Sequence, residues 1–377
     1  MRALFVDDEP RVLEGLRDLL RPHRRRWDMV FAVGMAEGLD ALARGPAFDV
    51  VVTDLRMPEM DGATLLAHVK AVSPSTTRVI LSGTTDEASV LRTVPVAHRF
   101  LAKPCEPAAL LAVLEGAADR AADDPIRRLI GELVCPPVAP RTWPRLAALL
   151  QDPDCDLARV VAVVEEDPGV ALKVLQVVNS AFFGLARPIT SIQRAVAWLG
   201  SRTLHATVLA GEGFAAVPGV APELVDQVRR HGLCAATIAR RLAPTDGDAA
   251  YVAAMLQDIG RLLLAGARRD AYERVLRRAP GVSLVDAEIA EIGVAHPEAG
   301  AWLLATWGVP ASVTDAVERS HRPDAWGLAG AVCAAGALAD WAPGQPEPSE
   351  AAALDLDRHH PSWRDVAGGL AAHSEQP

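Results

Sequence analysis

The strongest constraint on the fold is a change in hydrophobic pattern near residue 120. Before this point, short and almost continuously apolar runs alternate with helical periodicity, and after it only helical periodicity remains. Strands with such runs are typical of parallel sheets that helices cover on both faces. The pattern predicts a doubly wound α/β domain with a parallel five-stranded sheet, followed by an all-α domain. The five predicted strands are Ala3–Val6, Met29–Ala32, Val50–Thr53, Arg78–Leu81 and Arg99–Leu101.

Domain boundaries follow from the same pattern and from composition. We expect the α/β domain over residues 1–120, a linker over 121–127, the all-α domain over 128–342 and a flexible tail over 343–377. The tail prediction rests on its Pro- and Glu-rich start. Within the all-α domain, Asp167, Ser283 and Ser312 are predicted helix N-caps, whereas Gly200, Gly260 and Gly308 are predicted helix ends.

Composition excludes several classes of protein. The net charge of −10 argues against direct DNA binding, because neutralising phosphates requires a basic surface. The longest uncharged apolar stretch, Ala325–Ala339, is too short to cross a bilayer, so we expect no membrane insertion. The five cysteines form no CxxC pair, which argues against a thiolate zinc site and a disulfide framework. A cytoplasmic location is expected.

Acidic side chains end two of the predicted strands. Asp7 and Asp8 close the first strand, and Asp54 closes the third. Because neighbouring parallel strands end at one edge of the sheet, these carboxylates should meet there and favour Mg²⁺. Lys103 follows the fifth predicted strand, and Ser82 follows the fourth. We therefore expect an ammonium group and a hydroxyl group at the same edge of the sheet. The combination predicts a phosphoryl-transfer site with a carboxylate nucleophile.

Four strings in this region resemble a two-component receiver domain in their order and spacing. The resemblance implies that Asp54 accepts a phosphoryl group from a histidine kinase. It also implies that Asp8, Asp54 and the backbone carbonyl of Arg56 bind Mg²⁺ directly, and Asp7 through water. The strings are VDDEP at Val6–Pro10, DLRMPEMDG at Asp54–Gly62, LSG at Leu81–Gly83 and LAKP at Leu101–Pro104.

The same resemblance implies how phosphorylation is relayed. Ser82 is expected to provide the switch hydroxyl, and Phe100 is expected to be the aromatic residue that rotates. Lys103 is expected to contact the phosphoryl group, and the peptide bond before Pro104 is expected to be cis. The face formed by 86–94 and 106–118 would then change its contacts. We expect that face to form a homodimer through the receiver or to release the helical domain.

Residues from about 135 to 341 resemble the HDOD domain, a degenerate relative of the HD and HD-GYP hydrolases. The resemblance rests on CPPVAP, EEDPGVALKVLQVVNSAFFG, ITSIQRAVAWLG and the segment that begins at His296. His231 matches the first histidine of the hydrolases, but their His-Asp doublet is Gln257-Asp258 here. His296 and His321 are the remaining candidates for this vestigial site.

A glutamine amide is a poor ligand for a transition metal, so we expect no metal in the helical domain and no hydrolysis. The leading prediction is a phosphorylation-controlled response regulator whose HDOD domain engages a downstream signalling protein that the sequence does not identify. Two alternatives remain open: a cyclic-dinucleotide phosphodiesterase of HD type, and an effector domain that binds a nucleotide without cleaving it.

Overall fold

The computed structural model describes residues 1–58, 61–83, 96–118, 126, 129–130, 142–152, 156–179, 185, 187–210, 220–243, 245–279, 282–322 and 327–340. Segment 86–94, most of the predicted linker and the whole predicted tail lie outside these residues. The domain boundaries at residues 120, 127 and 342 stay predictions.

The N-terminal region contains the predicted five-stranded parallel sheet, and all five strands lie where the sequence places them. Their order across the sheet is β2-β1-β3-β4-β5, so β1 and β3 flank the point where the order reverses. The strands are β1 (Arg2–Asp7), β2 (Asp28–Val33), β3 (Val50–Asp54), β4 (Thr77–Ser82) and β5 (Arg99–Ala102).

Alternate residues of each strand enter two separate hydrophobic clusters, one on each face of the sheet. Phe5 and Val52 pack in the cluster that holds α1 and α4, whereas Leu4 and Val51 pack in the cluster that holds α3. Burial on both faces explains the nearly continuous apolar runs. The α-helices in the described part of this region are α1 (Pro10–Leu20), α2 (Gly34–Ala43), α3 (Gly62–Val72) and α4 (Pro107–Ala118).

The described part of the C-terminal region is helical and shares one large hydrophobic core. Helix α9 packs against α10 and α16, and α11 packs against α14. The helices are α5 (Thr142–Leu150), α6 (Leu157–Glu165), α7 (Pro168–Val178), α8 (Ile192–Ala210), α9 (Pro222–Leu242), α10 (Gly247–Leu256), α11 (Ile259–Ala267), α12 (Arg269–Arg278), α13 (Leu284–Ile292), α14 (His296–Thr306), α15 (Ala311–Glu318) and α16 (Gly327–Ala339). Among the described helices, none is long and apolar enough to cross a membrane.

Two of the three predicted N-caps are confirmed, whereas Ser312 is the second residue of α15, whose N-cap is Pro310. Asp167 accepts hydrogen bonds from the backbone N–H groups of Gly169 and Val170, and Ser283 accepts one from Asp286. These bonds satisfy amides that have no partner within the helix.

Of the three predicted terminating glycines, one is wrong. Gly200 interrupts α8 and Gly308 lies just beyond α14, both with positive φ of 69° and 73°. Gly260, however, is the second residue of α11. A Cβ atom there would lie 1.9 Å from the carbonyl oxygen of His296. The glycine is therefore required by the close approach of α11 and α14, which helix-ending signals do not reveal.

Candidate functional sites

The first candidate site lies where β1 and β3 end side by side. Asp7 is the last residue of β1, Asp8 follows it, and Asp54 is the last residue of β3. The two strands pair in parallel, with Val6 opposite Thr53. One oxygen atom from each of the three carboxylates lies within 4.8 Å of the others. The structure thus brings the three predicted acids together, and an all-oxygen donor set of this kind fits Mg²⁺.

Lys103 bridges two of these carboxylates. Its Nζ atom lies 2.7 Å from Asp7 Oδ2 and 2.8 Å from Asp54 Oδ2, and the peptide bond that follows it is cis. Both carboxylates are buried. The ammonium group therefore offsets two negative charges that repel each other where water screens them poorly.

The pKa values reflect this balance. Burial raises the pKa of Asp54, and the hydrogen bond from Lys103 only partly opposes the rise. Burial lowers the pKa of Lys103, but its hydrogen bonds to Asp54 and Asp7 more than offset this, so the net shift is upward. Lys103 remains an ammonium ion at neutral pH.

Backbone groups hold the carboxylates in position. The N–H of Leu55 donates to Asp54 Oδ1 at 2.6 Å, and the N–H of Glu9 donates to Asp7 Oδ1 at 3.0 Å. The loop after β3 also folds back onto the strand, because Gly62 N–H donates to the Leu55 carbonyl. A Cβ atom at Gly62 would lie 2.0 Å from the Asp54 carbonyl oxygen. This contact explains the glycine that ends the DLRMPEMDG string.

The remaining predicted residues of this site lie nearby. Ser82 ends β4, and its carbonyl accepts a hydrogen bond from the N–H of Lys103 at 2.9 Å. Phe100 lies in β5, half-buried against the hydrophobic cluster on the α3 face. Arg56 follows β3 by two residues, with its side chain exposed. The switch roles of Ser82 and Phe100, and magnesium binding by the Arg56 carbonyl, stay predictions.

The second candidate site gathers side chains from several helices around Asp258. This residue lies between α10 and α11, with 3% of its surface exposed. Its Oδ2 atom is 2.5 Å from Nδ1 of His231 on α9, and its Oδ1 atom is 3.4 Å from Nε2 of His296 on α14. His321 in turn contacts His296. Four of the five residues predicted for this site are therefore close together in the structure.

His296 is fully buried and makes polar contacts through both ring nitrogens. Its Nδ1 atom lies 2.7 Å from Oε2 of Glu288, which also accepts a hydrogen bond from the His296 backbone N–H at 2.8 Å. Its Nε2 atom lies 3.1 Å from Nε2 of His321, whose side chain is exposed. Glu288 thus sets the orientation of the imidazole ring.

The charges in this cluster compensate one another. Burial lowers the pKa of His231, but the hydrogen bond and charge of Asp258 outweigh it and raise the pKa to about 9. Burial raises the pKa of Asp258, yet its hydrogen bonds to His231 and His296 hold the pKa well below its ordinary value. Asp258 is therefore a carboxylate at neutral pH, paired with a histidinium.

Gln257, the fifth predicted residue, packs against α16. It is 1% exposed, and neither the nitrogen nor the oxygen of its amide group has a hydrogen-bond partner among the residues that the structure describes. A Cβ atom at Gly336 would lie 2.9 Å from Gln257 Oε1, so the glycine allows the amide to approach the helix. The carbonyl of Gly336 also lies 3.2 Å from His231 Nε2.

Sequence reasoning missed two charged residues of this cluster. Glu288 lies eight residues before His296 on another helix, so no spacing rule connects the two. Arg261 lies one helical turn after Asp258, with its Nη1 atom 3.8 Å from Asp258 Oδ2. That spacing of three residues is a recognisable signal for an ion pair within a helix.

Comparison with known proteins assigns a family to each region. The model of the response regulator receiver domain matches residues 3–115, and that of the HDOD domain matches residues 137–323. The first match contains the acidic site, and the second contains the Asp258 cluster.

Individual relatives match parts of the chain. The transcriptional regulatory protein GlrR of Escherichia coli is 37% identical over 121 residues, which are 32% of this chain and 26% of GlrR. An uncharacterized protein of Treponema pallidum is 25% identical over 202 residues, covering 49% of this chain and 37% of its own length. The chain thus spans well under half the length of these curated relatives.

Among solved structures, the MmoQ response regulator of Methylococcus capsulatus is 23% identical, with a TM-score of 0.47, over 61% of this chain and 97% of its own. The two family matches and the observed folds together make this chain a member of the two-component response regulators, with a receiver domain followed by an HDOD domain.

Proposed function

We propose that this response regulator accepts a phosphoryl group on Asp54 from a histidine kinase and thereby changes the contacts of its HDOD domain. The observation that carries the phosphorylation step is the position of Lys103, whose Nζ atom bridges Asp7 and Asp54. An ammonium group beside the attacking carboxylate lowers the cost of bringing an anionic phosphoryl group to it.

In the proposed reaction, an Asp54 oxygen bonds to phosphorus while the bond from phosphorus to the kinase imidazole breaks. The bonding electron pair stays on the imidazole nitrogen, which then takes up a proton. Mg²⁺, held by Asp8, Asp54 and the Arg56 carbonyl, with Asp7 acting through water, would supply a second positive charge at the phosphoryl oxygens. Lys103 orients the phosphoryl group, and the Ser82 hydroxyl donates to it afterwards.

Contacts between the two domains support control of the HDOD region. Gln176 on α7 donates from Nε2 to the carbonyl of His98 at 3.0 Å, and buried Lys173 donates to Gln176 Oε1 at 2.8 Å. His98 immediately precedes β5, which carries Phe100 and leads into Lys103. A shift of β5 on phosphorylation would therefore act directly on a buried hydrogen bond to the HDOD domain.

Packing beside β5 supports the same proposal. Helix α4 contacts α14, and a groove of about 940 Å³ between the domains is lined by Phe100, Val113, Trp302 and Val309. A rotating Phe100 ring would change the shape of this groove. A receiver homodimer through this face would require the HDOD domain to move away, so we propose that the two contacts compete.

The first experiment measures phosphorylation itself. The intact mass of the chain should rise by one phosphoryl group on incubation with a small phosphodonor and Mg²⁺, and Asp54→Ala should abolish the gain. A gain that persists in the Asp54→Ala chain would contradict the assignment of Asp54.

A second experiment tests the coupling. Amide hydrogen exchange should increase in α4, α7 and α14 after phosphorylation of the wild-type chain and stay unchanged in Asp54→Ala. Exchange changes confined to the receiver domain would contradict control of the HDOD region.

We also propose that the HDOD domain binds partners rather than hydrolysing phosphodiesters, since the doublet of the hydrolases is Gln257-Asp258 here. Product formation from a cyclic dinucleotide by the phosphorylated chain, lost in Asp258→Asn, would support the hydrolase alternative instead.

A further inference from the structure

We propose that the groove between the two domains binds a small organic carboxylate, whose charged group pairs with Arg99 and whose apolar body lies along the groove. Arg99 is the first residue of β5 and lines this groove of about 940 Å³. Small-molecule sites often lie at domain interfaces, with volumes of about 300–1,000 Å³. The inference concerns the unphosphorylated chain and is independent of phosphorylation at Asp54.

Arg99 is a cation without a partner. Its side chain is half-buried, yet it forms no hydrogen bond or ion pair with any residue that the structure describes. Two arginines that are more fully buried do have partners, since Arg78 donates to three backbone carbonyls and Arg261 contacts Asp258 and Tyr272. Charges removed from water are normally paired, so Arg99 is the cation for which an anion is missing.

The pKa values show the same difference. Burial lowers the pKa of Arg99, and no neighbouring carboxylate opposes the effect. Burial also lowers the pKa of Arg261, but the negative charge of Asp258 contributes to a net rise. Because a guanidinium keeps its proton in proteins, Arg99 stays charged. An anion that pairs with it therefore gains more than it would at an arginine surrounded by water.

The Arg99 guanidinium reaches from the receiver domain to the HDOD domain. A Cβ atom at Gly308 would lie 3.2 Å from Arg99 Nε and 3.5 Å from Nη2. The glycine, which has a φ of 73°, thus leaves room for the guanidinium beside the end of α14. Helix α15 begins at Ala311, which lines the same groove, so the positive end of its dipole lies near Arg99.

The apolar part of the lining determines the body of the ligand. The receiver domain contributes Phe100 and Val113, and the HDOD domain contributes Trp302 and Val309. Aromatic and aliphatic side chains of this kind favour an apolar and preferably flat molecule. A ligand that holds its carboxylate at Arg99 would therefore contact both domains at once.

The acidic residues of the groove limit the charge of the ligand. Glu106 and Asp315 also line it, and neither forms an ion pair with Arg99. A carboxylate has a single negative charge and matches the planar guanidinium through two parallel hydrogen bonds. A phosphate monoester would bring about two negative charges into a groove that already contains two carboxylates. The charge balance therefore favours a carboxylate.

The test uses the full, unphosphorylated chain and the dye anilinonaphthalene sulfonate, an aromatic monoanion whose fluorescence rises in apolar sites. Naphthoate should displace the dye at a concentration at least about tenfold lower than naphthamide, its neutral counterpart, because only the acid can pair with Arg99. Arg99→Met should abolish this preference, whereas Arg11→Met, at an exposed arginine outside the groove, should retain it. Ala305→Trp, which fills the groove from an exposed position of α14, should prevent displacement by either compound.

Thermal unfolding separates ligand binding from a structural role of Arg99. Removing an unpaired charge should leave the midpoint of the ligand-free Arg99→Met chain unchanged or raise it. Naphthoate should raise the midpoint of the parent and of Asp54→Ala, but not that of Arg99→Met.

Three results would each overturn the proposal. The first is that the dye does not bind the parent chain, and the second is that the parent does not distinguish naphthoate from naphthamide. The third is that the preference for the acid survives in Arg99→Met. A midpoint several degrees lower in ligand-free Arg99→Met would likewise contradict it, because Arg99 would then stabilise the fold through the protein's own groups.

Discussion

At the residue scale, the receiver site depends on one cation placed between two buried anions. Lys103 contacts both Asp7 and Asp54, and the nearest other lysine in sequence, Lys70, is exposed on α3. Lys103 therefore supplies the positive charge that contacts both carboxylates. Its removal leaves the two negative charges to repel each other.

We expect Lys103→Met to slow phosphorylation of Asp54 by a small phosphodonor by about 10²-fold or more, because a preorganised positive charge at the reacting group is lost. Mass spectrometry over time measures the rate, with Lys70→Met as the matched control that should behave as wild type. A wild-type rate in Lys103→Met would show that the ammonium group takes no part in the reaction.

The His231–Asp258 pair makes the stability of the chain depend on pH. The folded-state pKa of His231, about 9, exceeds its ordinary value of 6.5, so this contribution is complete below pH 6.5 and disappears as pH rises through 9. The depressed pKa of Asp258 means that its contribution is present above pH 3.8 and is lost in stronger acid. The contribution of the pair is therefore greatest between about pH 4 and 6.5.

We expect the free energy of unfolding of the chain to fall by up to about 3 kcal/mol between pH 6.5 and 9.5 as this histidine loses its proton. Among the described residues, the charged groups that face His231 are Asp258 and Asp340, the latter 3.6 Å from its Nε2 atom. Urea unfolding at several pH values measures the effect. His231→Gln should flatten the profile, and an unchanged profile in that variant would rule out the pair as its source.

At the element scale, the Asp258 cluster requires α11 and α14 to approach within backbone contact. Gly260 permits this approach, because a Cβ atom there would overlap the His296 carbonyl and lie 2.7 Å from the Gly300 nitrogen. Neither helix has room to yield without moving His296 away from Asp258. The glycine therefore positions the site although it takes no part in its chemistry.

We expect Gly260→Ala to destabilise the chain by more than about 2 kcal/mol, because the added methyl group must push two backbones apart. The matched control is Gly15→Ala in α1, where no atom of the described residues lies within 4 Å of the new methyl group and about 0.5–1 kcal/mol of stabilisation is expected. Thermal unfolding compares the two. Equal midpoints would mean that α11 and α14 are not packed this closely.

At the scale of the whole molecule, the two domains meet at β5, the strand that carries Phe100. The buried bond from Gln176 to the His98 carbonyl lies where β5 begins, and Lys103 lies just after β5 ends. One short strand therefore connects the acidic site to the HDOD domain.

We expect Gln176→Leu to loosen this contact, because it leaves the buried His98 carbonyl and the Lys173 ammonium each short of one partner, at a cost of about 1–3 kcal/mol. Hydrogen exchange in α4 and α14 should increase without phosphorylation, resembling the phosphorylated wild type. The exposed Gln151→Leu serves as control. Unchanged exchange in Gln176→Leu would argue that the bond does not hold the domains together.

The sequence alone determined the receiver fold and its acidic site. Parallel strands place their carboxyl ends at one edge, so the order of strands and the residues that end them are sufficient to bring Asp7, Asp54 and Lys103 together. Periodicity within each segment locates the strands and the residues that end them, and the four strings that resemble a receiver domain support the same site.

Only the tertiary structure decided how the HDOD cluster is built. His231, Asp258, Glu288 and His296 come from different helices, and their distances depend on how those helices cross. Periodicity shows which face of a helix is buried, but not which residue it meets on another helix. For the same reason the sequence placed Gly260 at a helix end and did not identify Glu288 as the partner of His296.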